Sequence, residues 1–239
     1  MPAVIRPRRI VAGPLRGLRL VTSWHDYPAG LAGRTERPLL DWFARHAKMG
    51  ETWLDIGAHY GYTAFALARL VGHTGRVFAF EPVAATAGCV DQARALNGLA
   101  QVTVLPFGLA CAESIEMRHL AITRGMADST VSSDTDRVTV PFARFDWLWP
   151  LVNGGHAAIH GVKIDVQGME LETLRGMRDA LRVSRPRLVV ELHAGVDRGE
   201  VLALLAELGY SPHATPIEPV AGEATARLLD NRSYAFSPA

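Results

Sequence analysis

Cysteine and lysine are both rare in this sequence. The 239 residues include two cysteines, Cys89 and Cys111, without CxxC spacing, which argues against a sulfur-bound zinc site or a disulfide framework and predicts two buried thiols. Lysine occurs only at Lys48 and Lys163, so arginine carries almost all of the positive charge. Long apolar runs are also lacking, since no stretch approaches the roughly 20 residues that a membrane-spanning helix needs.

Charge balance and the start of the chain exclude further classes of protein. The 25 basic and 24 acidic residues leave a formal charge of +1, which argues against partners with a phosphate backbone or an anionic lipid surface. The start, MPAVIRPRRIVAGPLRG, has Arg and Pro where a signal peptide has its apolar segment. We therefore expect a cytoplasmic monomer or homodimer with neither nucleic-acid nor membrane partners.

Strand-like and helix-like patterns alternate along most of the chain. Residues 9 to 22 predict a short hairpin, and Arg37 to Lys48 predict a helix. Nearly continuous apolar runs predict buried parallel strands at 52–56, 76–80, 101–105, 160–166 and 187–192. Helices are predicted at 62–71, 84–97, 169–182 and 198–209. This βαβ series indicates an α/β fold with a doubly wound, mostly parallel sheet.

The regular alternation stops between residues 110 and 150. There IEMRHLAI and DRVTVPF predict extra strands, joined by the polar loop GMADSTVSSDTD, which is either a substrate lid or a solvated connection. Near the end of the sequence, RSYAFSP predicts a last, antiparallel edge strand. We expect one domain over residues 1–239, with a hairpin and helix in 1–50 and the core in 51–239.

The stretch LDIGAHYGYTAFALA, residues 54 to 68, joins the first core strand to a helix through a turn with two glycines. Gly57 and Gly61 allow a ligand to approach the backbone at a helix start, whose free N–H groups attract polar groups. Asp55 precedes this turn, and Glu81 ends the next strand, where doubly wound folds bind a ribose diol. Together they predict a nucleoside site, although a strand-end glycine can also simply relieve crowding.

NAD and S-adenosylmethionine are both bound at such sites. The dinucleotide fingerprint GxGxxG is missing, so the smaller cofactor with an amino-acid tail is favoured. An NAD-dependent oxidoreductase or epimerase stays open as an alternative. A non-catalytic cofactor-binding subunit is an alternative from another class.

Four segments resemble FkbM-like class I methyltransferases in order and spacing: LDIGAHYGYTAFALA, VFAFEP, GVKIDVQGMELETLRG and PRLVVELH. The likeness covers about residues 35 to 193 and implies an S-adenosylmethionine-dependent enzyme with a seven-stranded sheet and an antiparallel last strand. It departs from the family pattern at His59, where Asn is usual, and at Gln167, where Glu is usual. The cofactor-binding residues that it implies are Asp55, Gly57, Ala58, His59, Gly61, Tyr62, Glu81, Pro82, Phe107, Gly108 and Asp165.

Polar residues at the ends of the later strands are the predicted catalytic set, namely Asp165, His193, Glu191 and Lys163. Carboxyl ends of parallel strands meet at one edge of the sheet, so these residues should converge on the crevice at Gly57. His193 titrates near neutrality and is the predicted base, with Asp165 orienting it or the acceptor hydroxyl, unless His193 only bonds to backbone. Lys163 should form an ion pair with Asp165, Asp55 or Glu191.

The sequence also bears on the role of Glu170 and on metal binding. Glu170 begins a helix, where it either complements the helix dipole or contacts substrate. Asp165, Glu191 and His193 have ligand atoms suited to a divalent cation, but no spacing signature supports one, so we predict no metal. The resemblance implies O-methylation of a hydroxyl on a small natural product or sugar.

Overall fold

The central sheet is built from the short apolar runs. In this computed structural model, which describes residues 4–128, 137–153, 158–219 and 228–239, every residue of strands Thr52–Ile56 and Gly161–Ile164 is buried. A strand covered on both faces needs no alternation of polar residues, which explains the continuous apolar runs.

The elements in this part of the chain are as follows. The strands are β1 (Arg6–Arg9), β2 (Arg19–Thr22), β3 (Thr52–Ile56), β4 (Arg76–Phe80), β5 (Val102–Leu105), β6 (Gly108–Leu109), β7 (Glu116–Thr123), β8 (Met126–Asp128), β9 (Arg137–Ala143), β10 (Gly161–Ile164), β11 (Arg187–Leu192), β12 (Thr215–Pro216) and β13 (Arg232–Phe236). The helices are α1 (Pro28–Ala32), α2 (Arg37–His46), α3 (Tyr62–Val71), α4 (Ala84–Leu96), α5 (Phe145–Asn153), α6 (Glu170–Gly176), α7 (Arg178–Ser184) and α8 (Arg198–Glu207).

The main sheet has the strand order β12-β13-β11-β10-β3-β4-β5. Strands β11, β10, β3, β4 and β5 are parallel, and β13 is antiparallel to both of its neighbours. The predicted doubly wound, seven-stranded class and the antiparallel strand at RSYAFSP are confirmed. The predicted edge position of that strand was wrong, because the two-residue strand β12 pairs along its outer side.

A second sheet, with the order β6-β9-β7-β8, lies within the 110–150 insertion apart from β6. Strands β7 and β9 are antiparallel, with His119 opposite Thr139, which confirms the two extra strands predicted there. The first residues of the predicted polar loop form β8. Residues 129–136 of that loop lie outside the described residues.

The segment predicted as one helix at 169–182 is two helices, α6 and α7, which meet at Met177. Gly176 ends α6 where a Cβ atom would lie only 2.2 Å from the carbonyl oxygen of Ala110. This close backbone approach fixes the bend. Helix α5 was not predicted, because Pro150 interrupts a short segment that otherwise buries Phe145.

The N-terminal hairpin, β1 with β2, and helix α2 share an apolar cluster with the main sheet. Leu20 of β2 and Phe43 of α2 are buried in the same cluster as Trp53 of β3. The backbone N–H of Arg19 donates to the side-chain oxygen of Asn97 at 2.9 Å, which fixes the hairpin to the end of α4. These contacts support the prediction of one domain.

The structure also bears on two predictions made from composition, which concern the cysteines and membrane-spanning helices. Cys111 is exposed and Cys89 is only partly buried, so the prediction of two buried thiols was wrong. Cys111 follows β6 in a connecting segment, and connections run over protein surfaces. Among the described residues, no helix combines the length and the apolarity that a membrane crossing requires.

Candidate active site

A cavity of about 370 Å³ opens at the carboxyl ends of β3, β4, β10 and β11. Parallel sheets expose backbone groups and strand-end side chains at this edge, and the volume is within the usual range for small-molecule sites. Gly57, Asp165 and Glu191 all line this cavity, as the sequence predicted. Other predicted residues that line it are Ala58, His59, Glu81, Pro82, Phe107, Gly108 and Lys163.

The glycine turn between β3 and α3 is shaped first by protein packing. Gly57 has a φ of +80°, and a Cβ atom there would lie 1.8 Å from the carbonyl oxygen of Asp165. Gly61 has a φ of +82° and packs against Val90 and Phe65. Gly57 therefore lets two strand ends meet beside the cavity. Three predicted cofactor-binding residues are not among those that line the cavity, namely Asp55, Gly61 and Tyr62.

Lys163 joins the two central strand ends through its ammonium group. Its Nζ lies 3.2 Å from Oδ1 of Asp55 and 3.4 Å from Oδ2 of Asp165, and it donates to the carbonyl oxygen of Gly57 at 2.9 Å. The predicted ion pair is confirmed for Asp55 and Asp165. These neighbouring carboxylates raise the pKa of Lys163 even though its burial opposes the charge. Asp55 also accepts a 2.6 Å hydrogen bond from Thr63 Oγ1 and is fully buried.

Glu81 lies at the end of β4, where a ribose was predicted to bind. Its two carboxylate oxygens accept hydrogen bonds from the backbone N–H groups of His59, at 2.9 Å, and Val83, at 3.0 Å. Burial raises the pKa of Glu81 to about 8, although both hydrogen bonds favour the ionised form. Each oxygen has a second lone pair, so the carboxylate retains acceptor capacity for ligand hydroxyls.

His59 connects the glycine turn to the insertion. Its Nε2 lies 3.0 Å from the carbonyl oxygen of Arg124, in the turn between β7 and β8, and Thr86 Oγ1 donates to the neighbouring Gly125 carbonyl at 2.6 Å. Burial lowers the pKa of His59 to about 4, so the ring is neutral near pH 7. A neutral ring with its hydrogen on Nε2 donates to the carbonyl oxygen of Arg124. This hydrogen bond holds the turn between β7 and β8 beside the cavity.

Four side chains at the ends of β10 and β11 and the start of α6 form one connected group. His193 Nδ1 lies 2.7 Å from Oε1 of the buried Glu170, and His193 Nε2 lies 3.6 Å from both Asp165 Oδ1 and Glu191 Oε1. Asp165 and Glu191 line the cavity, whereas buried His193 lies behind them. Glu170 therefore bonds to a histidine instead of projecting toward the acceptor.

The pKa values in this group depart from their ordinary positions. Burial and the nearby Asp165 raise the pKa of Glu191 to about 7, while His193 opposes the rise. For His193, burial lowers the pKa, but the hydrogen bond to Glu170 and the surrounding carboxylates outweigh it and raise the value. Glu191 is thus a cavity-lining carboxylate with a pKa near neutrality, and it differs from Glu81 in lying beside Asp165 and His193.

The same group contains the donor atoms considered for a metal ion. One atom each from Asp165, Glu191 and His193 lies within 4.8 Å of the others, close enough to share a cation. Lys163 already offers a positive charge to Asp165. The prediction that no metal binds here remains untested.

Sequence reasoning missed the residues that reach the cavity from the N-terminal segment and the insertion. Asp26, Tyr27 and Glu36 line it from around α1, and Arg124 lines it from the turn after β7. Burial raises the pKa of Glu36. This residue directly precedes α2 and has a φ of +55°, in the left-handed region. No periodic pattern marks these residues. Glu36 stands between the polar residues Thr35 and Arg37, a setting that is typical of an exposed segment.

Comparison with known proteins identifies the family to which this chain belongs. Residues 55–212 match the methyltransferase FkbM domain. A hexuronic acid methyltransferase, AglP, from Haloferax volcanii is 31% identical over 189 residues, which cover 77% of this chain and 73% of that protein. This chain therefore belongs to the FkbM methyltransferase family and is an S-adenosylmethionine-dependent methyltransferase.

Solved structures agree on the fold. An FkbM methyltransferase from Methylobacillus flagellatus KT is 17% identical, with a TM-score of 0.50 over 87% of this chain and 52% of that chain. A protein from Streptococcus mutans in complex with SAH is 12% identical, with a TM-score of 0.51 over 85% and 98%. These likenesses support the Rossmann-like class. The comparisons do not favour an NAD-dependent oxidoreductase or a non-catalytic subunit.

The residues around the cavity fit this cofactor. Gly57 presents backbone without a side chain, Glu81 presents a carboxylate with spare acceptor capacity, and Phe107 and Gly108 border the third strand end. Asp165, another predicted cofactor contact, lines the same cavity. The assignment of individual residues to parts of the cofactor remains a prediction.

Proposed function

We propose that this enzyme transfers a methyl group to a hydroxyl of a sugar or a similar small polyol. The observation that carries the proposal is the pair of cavity-lining carboxylates, Asp165 and Glu191, at adjacent strand ends beside the predicted cofactor site. A hydroxyl must be oriented and must lose its proton, and two carboxylates can divide these tasks. The name of the relative AglP, a hexuronic acid methyltransferase, supports a sugar acceptor.

More carboxylates line the cavity than the cofactor requires. Asp26 and Glu36 line it from the N-terminal segment, in addition to Asp165 and Glu191 at the strand ends. Ionised carboxylates accept hydrogen bonds and donate none, so they suit a ligand rich in hydroxyl groups. Tyr27 adds an aromatic surface beside them. These groups are therefore our candidates for acceptor recognition.

The reaction assigns different tasks to the strand-end residues. When bound in the cavity, S-adenosylmethionine would supply a methyl group carried on a sulfonium, for displacement by the acceptor oxygen: the O–C bond would form as the C–S bond breaks, with S-adenosylhomocysteine as the leaving group. Asp165, held between Lys163 and the amide of Gln167, orients the acceptor hydroxyl. Glu191 takes the hydroxyl proton, because it faces the cavity and has a pKa near neutrality. Lys163 pairs with both Asp55 and Asp165, which holds the two strand ends together.

This assignment changes the predicted role of His193. The sequence predicted His193 as the base in contact with the acceptor, but the cavity-lining group is Glu191. We therefore propose Glu191 as the proton acceptor and place His193 behind it. All four residues of the predicted catalytic set retain a proposed role, and the role of Lys163 is structural.

Transfer of radiolabelled methyl groups to a panel of sugars tests the proposal. The panel contains neutral methyl glycosides, the corresponding hexuronates and deoxy analogues that lack single hydroxyls. We expect label in a product that survives mild alkali, because a methyl ether is stable there and a methyl ester is not. Label lost in alkali would show carboxyl methylation, and no labelled sugar at all would contradict the proposed acceptor class.

We also propose that the chain is one domain, acts in the cytoplasm as a monomer or homodimer, and binds no nucleic acid. The shared apolar cluster of the N-terminal segment and the core supports the first point, and the balanced charge supports the last. Limited proteolysis, cell fractionation, light scattering and a nucleic-acid shift assay test the four statements in turn.

A further inference from the structure

We infer that Glu170 is a positioning residue for the methyl transfer: it holds the imidazole of His193 so that Nε2 stays between the carboxylates of Asp165 and Glu191. The inference rests on the proposed function, since it assigns a task to a residue behind the proposed base. Glu170 is not among the residues that line the cavity, so it acts through His193.

The geometry fixes which ring nitrogen carries a hydrogen. Oε1 of Glu170 lies 2.7 Å from Nδ1 of His193 and also accepts the backbone N–H of Gly168 at 3.1 Å. Because this oxygen already accepts one N–H, we assign the hydrogen of the short contact to Nδ1 of His193. Nε2 is then the nitrogen that faces Asp165 and Glu191, each at 3.6 Å.

Burial of the Glu170 side chain costs folding free energy, which argues against a purely structural role. Glu170 is fully buried, and its second oxygen, Oε2, has no hydrogen-bond partner within the described part of the chain. A buried carboxylate with one unsatisfied oxygen costs stability, and the helix dipole alone gives little at the start of a helix of seven residues. The local fold therefore retains a costly charge whose clear partner is His193.

Helix α6 is a rigid base for this contact. Thr173 Oγ1 donates to the carbonyl oxygen of Leu109 at 3.0 Å, and Leu174 is fully buried in the main cluster. Because α6 is fixed to the sheet at these points, the Glu170 carboxylate has little freedom. His193, two residues beyond Glu191, receives its orientation from a neighbouring element and not from its own strand.

A fixed Nε2 affects the proton acceptor directly. Glu191 is surrounded by the negative groups Asp165 and Glu36 and by the positive Lys163 and His193. A protonated imidazole beside Glu191 favours its ionised form, which is the form that accepts a proton. If the ring turned away, Glu191 would take up a proton at higher pH and fewer molecules would hold the active form.

Three variants separate this role from simple stability. Glu170→Ala removes the acceptor for Nδ1, Glu170→Gln keeps an oxygen acceptor without the charge, and Glu172→Gln changes a partly exposed carboxylate of the same helix that pairs with Arg118. We expect kcat to fall about 100-fold in the first, by a smaller factor in the second and not in the third. Affinity for S-adenosylhomocysteine and the acceptor KM should stay within about twofold.

The pH profile and the imidazole tautomer provide readouts that a structural role would not move. The acidic limb of kcat/KM should shift to higher pH in Glu170→Gln, because the charge that supports protonated His193 is lost. In ¹⁵N NMR the wild-type His193 should show a protonated Nδ1, and Glu170→Ala should lose that signature. The NMR readout needs no acceptor, so it distinguishes failure of this inference from failure of the proposed function.

Two results would overturn the inference. One is a folded Glu170→Ala protein that keeps wild-type kcat, and the other is an unchanged Nδ1 signature in that variant. If Glu170→Ala does not fold, Glu170→Gln decides: wild-type kcat with an unshifted pH profile would also contradict the positioning role. Absence of methyl transfer to every sugar by the wild type would instead refute the acceptor class while leaving the tautomer result valid.

Discussion

At the residue scale, Lys163 balances two of the carboxylates at the site. Lys163 is one of only two lysines in the chain, and its ammonium lies between Asp55 and Asp165 with almost no exposure to solvent. The sequence predicts that Lys163 and Asp165 lie on one face of the sheet, because residues two apart in a strand share a face. It cannot fix the distances that decide which carboxylate remains free for ligand.

Replacing Lys163 with methionine should destabilise the protein strongly. Lys163→Met leaves two carboxylates without their cation, one of them fully buried, and we expect a loss of about 3–5 kcal/mol in the free energy of unfolding. Urea denaturation measures it. Lys48→Met changes the exposed second lysine and should stay within about 0.5 kcal/mol of wild type. Equal stability of the two variants would rule out the ion-pair role.

The proposed base gives a signed pH dependence. Because burial and Asp165 raise the pKa of Glu191 to about 7, its proton-accepting form grows as pH rises through that value. We expect kcat/KM with a neutral acceptor to increase about tenfold per pH unit below about 7 and to level off above it. Above about pH 7, where Glu191 is ionised, Glu191→Gln should lower kcat by about 10²- to 10⁴-fold, and the difference should narrow as the pH falls. A flat wild-type profile from pH 5 to 8 would exclude Glu191 as the base.

Chelation should leave the activity unchanged. The Asp165, Glu191 and His193 group has an internal cation nearby in Lys163, and the sequence has no metal-binding spacing. We expect the same rate before and after dialysis against EDTA. Loss of activity that Mg²⁺ or Mn²⁺ restores would show that this group holds a metal.

At the element scale, the junction of β3 with β10 is the feature on which the cavity depends. The sequence predicted both strands and a close backbone approach at Gly57, but it assigned that approach to a ligand. The structure shows that the carbonyl of Asp165 occupies the space a side chain would need. Pairing between strands distant in sequence determines this contact, and a local motif cannot report it.

A methyl group at Gly57 should therefore disrupt the site more than its conformational cost alone. Gly98 is a matched control, because it also has a positive φ but no described atom lies within 4 Å of the place where its Cβ would stand. We expect Gly57→Ala to lose about 1–3 kcal/mol more stability than Gly98→Ala and to lose cofactor affinity. Urea denaturation and calorimetric titration measure the two effects. Similar behaviour of both variants would show that the β3–β10 junction tolerates a side chain.

At the scale of the whole molecule, the core of the fold was more predictable than the edges of the site. Strands β3, β4 and β11 and helix α3 match their predicted bounds, since periodicity and glycine boundaries are local signals. Tyr27, Glu36 and Arg124 reach the cavity through tertiary packing of an N-terminal segment and an insertion. Their roles depend on contacts across the molecule, which leave no pattern in nearby sequence.

Calorimetric titration with S-adenosylmethionine, S-adenosylhomocysteine and NAD, in the wild type and in Glu81→Ala, tests most directly whether the strand-end cavity is the cofactor site. We expect micromolar binding of the first two ligands, no binding of NAD, and loss of at least about tenfold in affinity in the variant, as removal of a hydrogen-bonding group at the ligand implies. Unchanged affinity in Glu81→Ala, or binding of NAD alone, would contradict the assignment of this cavity to S-adenosylmethionine.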